Sequence, residues 1–251
     1  MTDKKPPKKP AGKKPAGKAS TIKSSSPNGG PRGLQKTVRV KTRAKRSISS
    51  SRWLERQLND PYVAAAKAEG MRSRAAYKLI QMNEELDFLK PGQKVIDLGA
   101  APGGWTQMAV EIVRPVETGG KVVAIDYLNM VDIPESTFIQ MDFMDNDAPQ
   151  RLIDAIGGTA DVVLSDMAPP TIGHKKTDHL RVMGLVEAAY EFAVEILTPG
   201  GVFLSKVFMG GTEKDLLNAM KKDFTKVKHI KPHASRADSS EMYVVGLGFR
   251  R

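Results

Sequence analysis

The chain has 251 residues, 40% of them hydrophobic, which is enough for one domain with a real core plus an appendage. It contains no cysteine, and this excludes disulfides, thiolate metal sites and a cysteine nucleophile. The net charge of +11 is unevenly placed: residues 1–50 hold 15 of the 39 lysines and arginines against one acid, Asp3, while residues 51–251 carry 24 basic and 27 acidic residues.

The first fifty residues therefore stand at +14 and the remainder at −3, so the high isoelectric point belongs to the N-terminal segment. That segment is rich in Lys, Pro, Gly and Ser. It cannot bury enough apolar surface to offset its ordering entropy and is expected to be a disordered basic tail. It reads either as a solubilising tail or as an arm that holds RNA by counterion release. Its prolines and its excess of lysine over arginine argue against an organellar presequence. No apolar run approaches the roughly 18 residues that span a bilayer, and the N-terminus lacks a signal-peptide core. A cytoplasmic, monomeric protein without membrane contact is expected.

From Ser51 onward the pattern predicts an ordered domain, residues 51–251. Helices are expected over 53–68 and 73–88, the second with Ala75, Ala76, Leu79, Ile80 and Leu86 at helical spacing and Ser73 as a cap. Strands and helices then alternate. Lys94–Leu98 is a strand and 104–113 a helix; Val122–Ile125 and Phe138–Met141 are strands; 148–156 is a short helix. Val162–Ser165 is a strand, 178–197 a long helix, Val202–Phe208 a strand and 212–222 a helix. Lys226–Lys231 and Glu241–Phe249 close the chain as strands without a helix between them. Alternating elements with continuous apolar strands predict an α/β, doubly wound, Rossmann-like fold: a seven-stranded, mostly parallel sheet with helices on both faces, one strand reversed at the edge. Such sheets bind ligands at the C-terminal ends of their strands.

The first strand runs into Asp97-Leu98-Gly99-Ala100-Ala101-Pro102-Gly103-Gly104-Trp105. Small residues here permit a sharp turn and close ligand approach, and the following helix N-terminus favours a negative group. The spacing departs from the dinucleotide fingerprint, and Pro102 removes an N–H that a diphosphate would use. A ligand with an amino-acid carboxylate in place of a diphosphate tolerates this loop, although a purely structural turn is the alternative. The second strand ends at Asp126, placed to accept from ribose hydroxyls. The third ends at Asp142-Phe143, an acid for an exocyclic amine and a ring to pack on a base. The fourth ends at Ser165-Asp166-Met167-Ala168-Pro169-Pro170 and the fifth at Ser205-Lys206-Val207-Phe208. Lys206 lies in an apolar run. It is either a lysine whose stem is buried and whose ammonium reaches water, or one kept neutral enough to accept a proton. The four histidines, 174, 179, 229 and 233, form no ligand set, and no metal is expected.

Five motifs in register carry a resemblance. Arg72-Ser73-Arg74-Ala75-Ala76-Tyr77-Lys78-Leu79, Asp97 to Trp105, Ser165 to Pro169, Lys206-Val207-Phe208, and Ser235-Arg236 with Ser240-Glu241-Met242-Tyr243 resemble the FtsJ/RrmJ family of ribosomal RNA methyltransferases over residues 52–250. The resemblance implies a catalytic tetrad at Lys78, Asp166, Lys206 and Glu241, with Lys206 as proton acceptor. It implies S-adenosyl-L-methionine as cofactor, held at Gly103, Trp105, Asp126, Asp142 and Asp166. It also implies 2′-O-ribose methylation of a uridine in 23S rRNA within the large ribosomal subunit. The sequence departs from the family pattern at Pro170 and Ser205. In such a tetrad Lys78 would repel charge on Lys206, and the two acids would orient the ammonium and the hydroxyl.

Other classes remain as alternatives. Pyrimidine C5 methylation needs a cysteine, which is absent. Adenine N6 enzymes carry an aromatic residue after the prolines of the fourth strand, whereas Thr171 stands here. A non-catalytic RNA-binding or ribosome-assembly protein would not need an intact tetrad. A small-molecule methyltransferase would have little use for the basic tail or for Arg52, Arg56, Arg72 and Arg74, whose charge local acids partly offset.

Overall fold

Each short apolar run bounded by Gly, Pro or Asp forms a strand, because extended residues buried on both faces can satisfy their backbone only through neighbouring strands. The computed structural model describes residues 48–170, 172–208 and 214–251. Its strands are β1 (Lys94–Leu98), β2 (Lys121–Asp126), β3 (Thr137–Gln140), β4 (Ala160–Ser165), β5 (Leu197–Phe208), β6 (Phe224–Ile230) and β7 (Glu241–Phe249). They form one sheet in the order β3-β2-β1-β4-β5-β7-β6. The pairs among β1 to β5 are parallel, and β7 runs antiparallel to both β5 and β6. The reversed strand is thus second from the edge, not at it. β6 is reached from β5 through helix α8, and β7 folds back into the space left between them.

The helices are α1 (Ile48–Leu58), α2 (Pro61–Ala68), α3 (Ala75–Leu86), α4 (Gly104–Val113), α5 (Pro115–Thr118), α6 (Ala148–Ile156), α7 (Lys175–Ile196) and α8 (Lys214–Asp223). The helix expected over 53–68 is two helices. Pro61 cannot continue α1, and Asp60 caps α2 by accepting the Tyr62 N–H at 3.0 Å. Ser73 does take an orphan donor of α3, the Ala75 N–H at 3.2 Å. Ile48 to Ser50, expected in the tail, already belong to α1. The rest of that tail, residues 1–47, lies outside the described residues, as do the first two residues of the helix expected from 212.

Two apolar layers sandwich the sheet. Strand alternation sends Val202 and Leu204 of β5, with Tyr243 and Val245 of β7, toward α2, α3 and α4. Phe203, Val207 and Val244 face α6, α7 and α8. Phe203 and Leu204 are fully buried, and burial of each such side chain contributes about 1.5–3 kcal/mol. Lys206 keeps the period of Val202 and Leu204, so it faces α3. This decides the site.

Candidate active site

The turn after β1 needs glycine on steric grounds. Gly99 has φ +77°, and a Cβ there would lie 2.7 Å from Met167 Cγ and 2.9 Å from Met167 Cα. Only a residue without a side chain lets the loops after β1 and β4 meet. The Gly99 and Ala100 N–H groups both donate to the Ile125 carbonyl, and the Asp166 N–H donates to the Leu98 carbonyl at 3.1 Å. Three strand ends are thereby tied into the floor of a cavity of about 760 Å³, whose walls include Gly99, Asp126, Asp142, Phe143, Asp166 and Lys206.

Asp126 is buried and braces the floor. Its Oδ2 accepts the Ala101 N–H at 2.9 Å and its Oδ1 the Leu128 N–H at 2.8 Å. Each oxygen keeps a second lone pair for a ligand hydroxyl. Asp142 Oδ1 accepts the Met144 N–H at 3.0 Å. Phe143 lines the cavity with its ring edge-on to Phe192, centroids 5.7 Å apart. Gly103 and Trp105 do not line it. Gly103, at φ +100°, begins α4, and a Cβ there would lie 2.8 Å from Ile133 Cδ1. Trp105 donates from Nε1 to the Ala75 carbonyl at 2.9 Å and packs against Tyr243 at 5.5 Å. Trp105 thus ties α4 to α3.

The four tetrad residues come together in one polar chain. Lys206 Nζ lies 3.1 Å from Asp166 Oδ1 and also donates to the Asp166 carbonyl. Lys78 Nζ lies 2.7 Å from Glu241 Oε1. Tyr243 joins the two pairs: Lys78 Nζ donates to its hydroxyl at 3.1 Å, and the hydroxyl donates to Asp166 Oδ1 at 3.1 Å. The β5–β7 register sets this up by placing Tyr243 directly opposite Lys206. Glu241, two residues earlier on β7, shares that face. Ser235 Oγ donates to Glu241 Oε1 at 2.9 Å. Burial pushes the Asp166 carboxyl up, but the charges of Lys206 and Lys78 outweigh it, so Asp166 titrates below the usual carboxylate value. Burial, with Asp166 and Glu241 beside it, pushes the Tyr243 phenol well up, so it remains a donor.

Beneath the floor lies a second kind of carboxyl. Asp97 is fully buried, and its Oδ2 accepts the Thr106 hydroxyl at 2.6 Å. Its Oδ1 has no hydrogen-bond partner. Burial, opposed by the Thr106 bond and reinforced by Asp166 and Asp126, pushes Asp97 up to about 7.

A family model for FtsJ-like methyltransferases matches residues 71–249, a span that holds all four tetrad residues. The chain belongs to the FtsJ-like methyltransferase family. Two curated relatives of this methyltransferase, from Paramagnetospirillum magneticum and Xanthobacter autotrophicus, bear the name ribosomal RNA large subunit methyltransferase E. The first is 58% identical over 92% of this chain and 95% of its own length; the second is 58% identical over 90% and 89%. A solved ribosomal RNA methyltransferase from Plasmodium falciparum superposes with a TM-score of 0.62 at 33% identity, covering 71% of this chain and 98% of that one.

Sequence reasoning missed several parts of the FtsJ-like site. Tyr243 stood in a quoted motif without a role, since its bridging position exists only after β7 pairs with β5. Asp97 has no role in the sequence reading beyond standing at the end of the first strand; its signal is an acid inside the apolar run Val95-Ile96-Asp97-Leu98. Tyr127, Leu128 and Met144, each about half exposed, make an apolar rim to the cavity, and each closely follows an acid at a strand end. Of the two departures from the family pattern, Pro170 lines the cavity and its carbonyl accepts from Arg181 at 2.9 Å. Ser205 is buried with its hydroxyl unpartnered.

Proposed function

We propose that this FtsJ-like methyltransferase transfers the methyl group of S-adenosyl-L-methionine to the 2′-oxygen of a uridine in 23S rRNA of the large ribosomal subunit, with Lys206 as proton acceptor. The names of the curated relatives support the substrate class. The observation that carries the reaction is the position of Lys206 and Asp166, which line the acid-walled cavity and are bridged through Tyr243 to Lys78 and Glu241.

The cavity fits the cofactor. Gly99 lets the loops after β1 and β4 close the cavity floor, since a Cβ there would strike Met167. Asp126 has acceptor capacity for both ribose hydroxyls, Asp142 for the adenine amine, and Phe143 with the apolar rim offers faces for the base. Three carboxylates suit a cation. S-adenosylmethionine supplies a methyl group made electrophilic by its sulfonium. Asp166 fixes Lys206 Nζ through its carboxylate and its carbonyl, which removes most of the positional freedom of a long side chain. In this reading Lys206 first loses its own proton, and its Nζ then takes the proton of the ribose 2′-hydroxyl as that oxygen bonds to the methyl carbon and the carbon–sulfur bond breaks.

The deciding experiment is methyl transfer from labelled S-adenosylmethionine to purified large subunits, with mapping of the product. A single 2′-O-methyluridine is expected. A base-methylated product, or none on any ribosomal RNA, overturns the reading.

A further inference from the structure

Gly184 stands inside α7, where a glycine weakens the helix through its extra chain entropy. The reasons that explain Gly99 and Gly103 do not apply to it. Its backbone is ordinary helix without a positive φ. A Cβ there would have no heavy atom within 4 Å among the described residues outside its own stretch of helix. What glycine does at this position is leave the helix wall open toward the large cavity, which Gly184 lines. Arg181, Gly184 and Leu185, at i, i+3 and i+4, form one face of α7, and all three line that cavity. Val182, Met183 and Val186, on the other side of the helix, are buried against β5.

This wall is held in place. Asp178, buried at the start of α7, accepts the Ile172 N–H at 2.9 Å and the Gly173 N–H at 3.1 Å. Arg181 donates from Nη1 to the Pro170 carbonyl at 2.9 Å. The loop after β4 is thereby tied to the first turns of the helix. The bond to Pro170 takes one of the five N–H groups of a guanidinium, so Arg181 keeps donors for a ligand.

The cavity is divided in charge. Asp126 and Asp142 stand at the ends of β2 and β3, on one side of β1, whereas α7 packs on β4 and β5, on the other. The part of the wall that α7 supplies carries no carboxylate, and Arg181 is its charge. The acidic side suits a cation. The α7 side suits a flat, neutral group with carbonyl oxygens, which a guanidinium can meet in the plane of the ring. Asp166 and Lys206 end β4 and β5, so a group on the α7 side lies next to the proton acceptor.

We propose that the α7 wall of the large cavity receives the base of the target nucleotide, with Gly184 giving the pyrimidine room and Arg181 donating to one of its carbonyl oxygens. The proposal rests on the ribose-methylation reading above. It divides one cavity between the two reactants, the cofactor on the side of Asp126 and the target nucleoside on the side of Gly184, with Lys206 between them.

The test uses the full chain and unmethylated large subunits. Gly184→Ala improves helix propensity and meets no neighbour, so its thermal midpoint should rise, while kcat/KM for subunits falls several-fold. Gly184→Leu should lower kcat/KM by roughly a hundredfold, since a side chain then fills the place of the base. The Kd for S-adenosylmethionine should stay within about twofold of the parent in both. Arg181→Ala should lower kcat/KM about tenfold, the loss of one charge-assisted hydrogen bond, with thermal unfolding followed alongside because Pro170 loses a partner. Parental kcat/KM in Gly184→Leu means that nothing enters the space beside α7 and overturns the proposal. Cofactor affinity lost in step with kcat/KM also overturns it, by assigning that space to the cofactor. Either result leaves the methylation reading intact. If the parent itself methylates no ribose, that reading fails, and equilibrium binding of subunits then decides the site: weaker binding by Gly184→Leu than by the parent supports it, and equal binding overturns it.

Discussion

Asp97→Asn isolates the cost of keeping a carboxyl inside this fold. The folded protein holds the Asp97 proton up to about pH 7, while an ordinary aspartate loses it near 3.8. Between those values unfolding releases a proton, so rising pH favours the unfolded chain, and above about pH 7 the effect levels off. At roughly 1.4 kcal/mol per pH unit, the interval amounts to about 4 kcal/mol of stability lost between pH 4 and pH 7. Asparagine has no proton to lose and can still accept the Thr106 hydroxyl. Its amide replaces Oδ1, which has no partner, and a buried unpaired N–H costs about 1–3 kcal/mol. The variant should therefore be less stable than the parent at pH 4 and as stable or more so at pH 8. Urea unfolding followed by circular dichroism at half-unit steps from pH 4 to 8 reads this directly. Asp166 does not confuse the result, since it titrates below its ordinary value, under this window. A parent–variant difference that stays constant across the range, within about 1 kcal/mol of its pH 4 value, refutes the argument that burial sets the Asp97 ionisation.

Four further outcomes are expected. Lys206→Ala should abolish methyl transfer with cofactor affinity within a few-fold of the parent, and Lys206→Arg should also fail because arginine stays protonated; near-parental turnover in either ends the assignment of the base. Asp126→Ala should weaken S-adenosylmethionine binding by about 1.5–3 kcal/mol in calorimetry, and unchanged affinity rejects its ribose role. Tyr243→Phe leaves Lys78 with Glu241 and Asp166 with Lys206 but cuts the bridge between them; stability should fall by about 1–3 kcal/mol, with kcat reduced more than cofactor affinity, and unchanged kcat means that the two pairs act independently. Deleting residues 1–47, which carry +14 of charge, should keep thermal unfolding and cofactor affinity while flattening the salt dependence of subunit binding; coincident slopes leave the segment a solubilising tail.

The amino-acid sequence by itself determined the alternation of strands and helices and the places where chemistry could sit. Short, mostly apolar runs ending in Asp126, Asp142, Asp166 and Lys206 are local patterns, and a parallel sheet gathers such ends along one edge. The need for glycine at position 99 was legible as a small-residue turn, although its steric cause, the backbone of Met167, was not. Tertiary structure decided the rest, because it depends on contacts between residues far apart in the chain. Strand register put Tyr243 opposite Lys206, and packing of α3 on that face delivered Lys78 to Tyr243 and Glu241. The stretch 53–68 reads as continuous helix in the sequence, whereas in the structure Asp60 caps α2 and anchors Arg74 and Arg236. Gly103 and Trp105, expected as ligand contacts, are not among the residues that line the cavity; sequence spacing gives the position along a loop but not the side to which it turns. Asp97 shows the same limit in energy: its identity is written in the chain, but its ionisation is set by desolvation, which exists only once the sheet and α4 close over it.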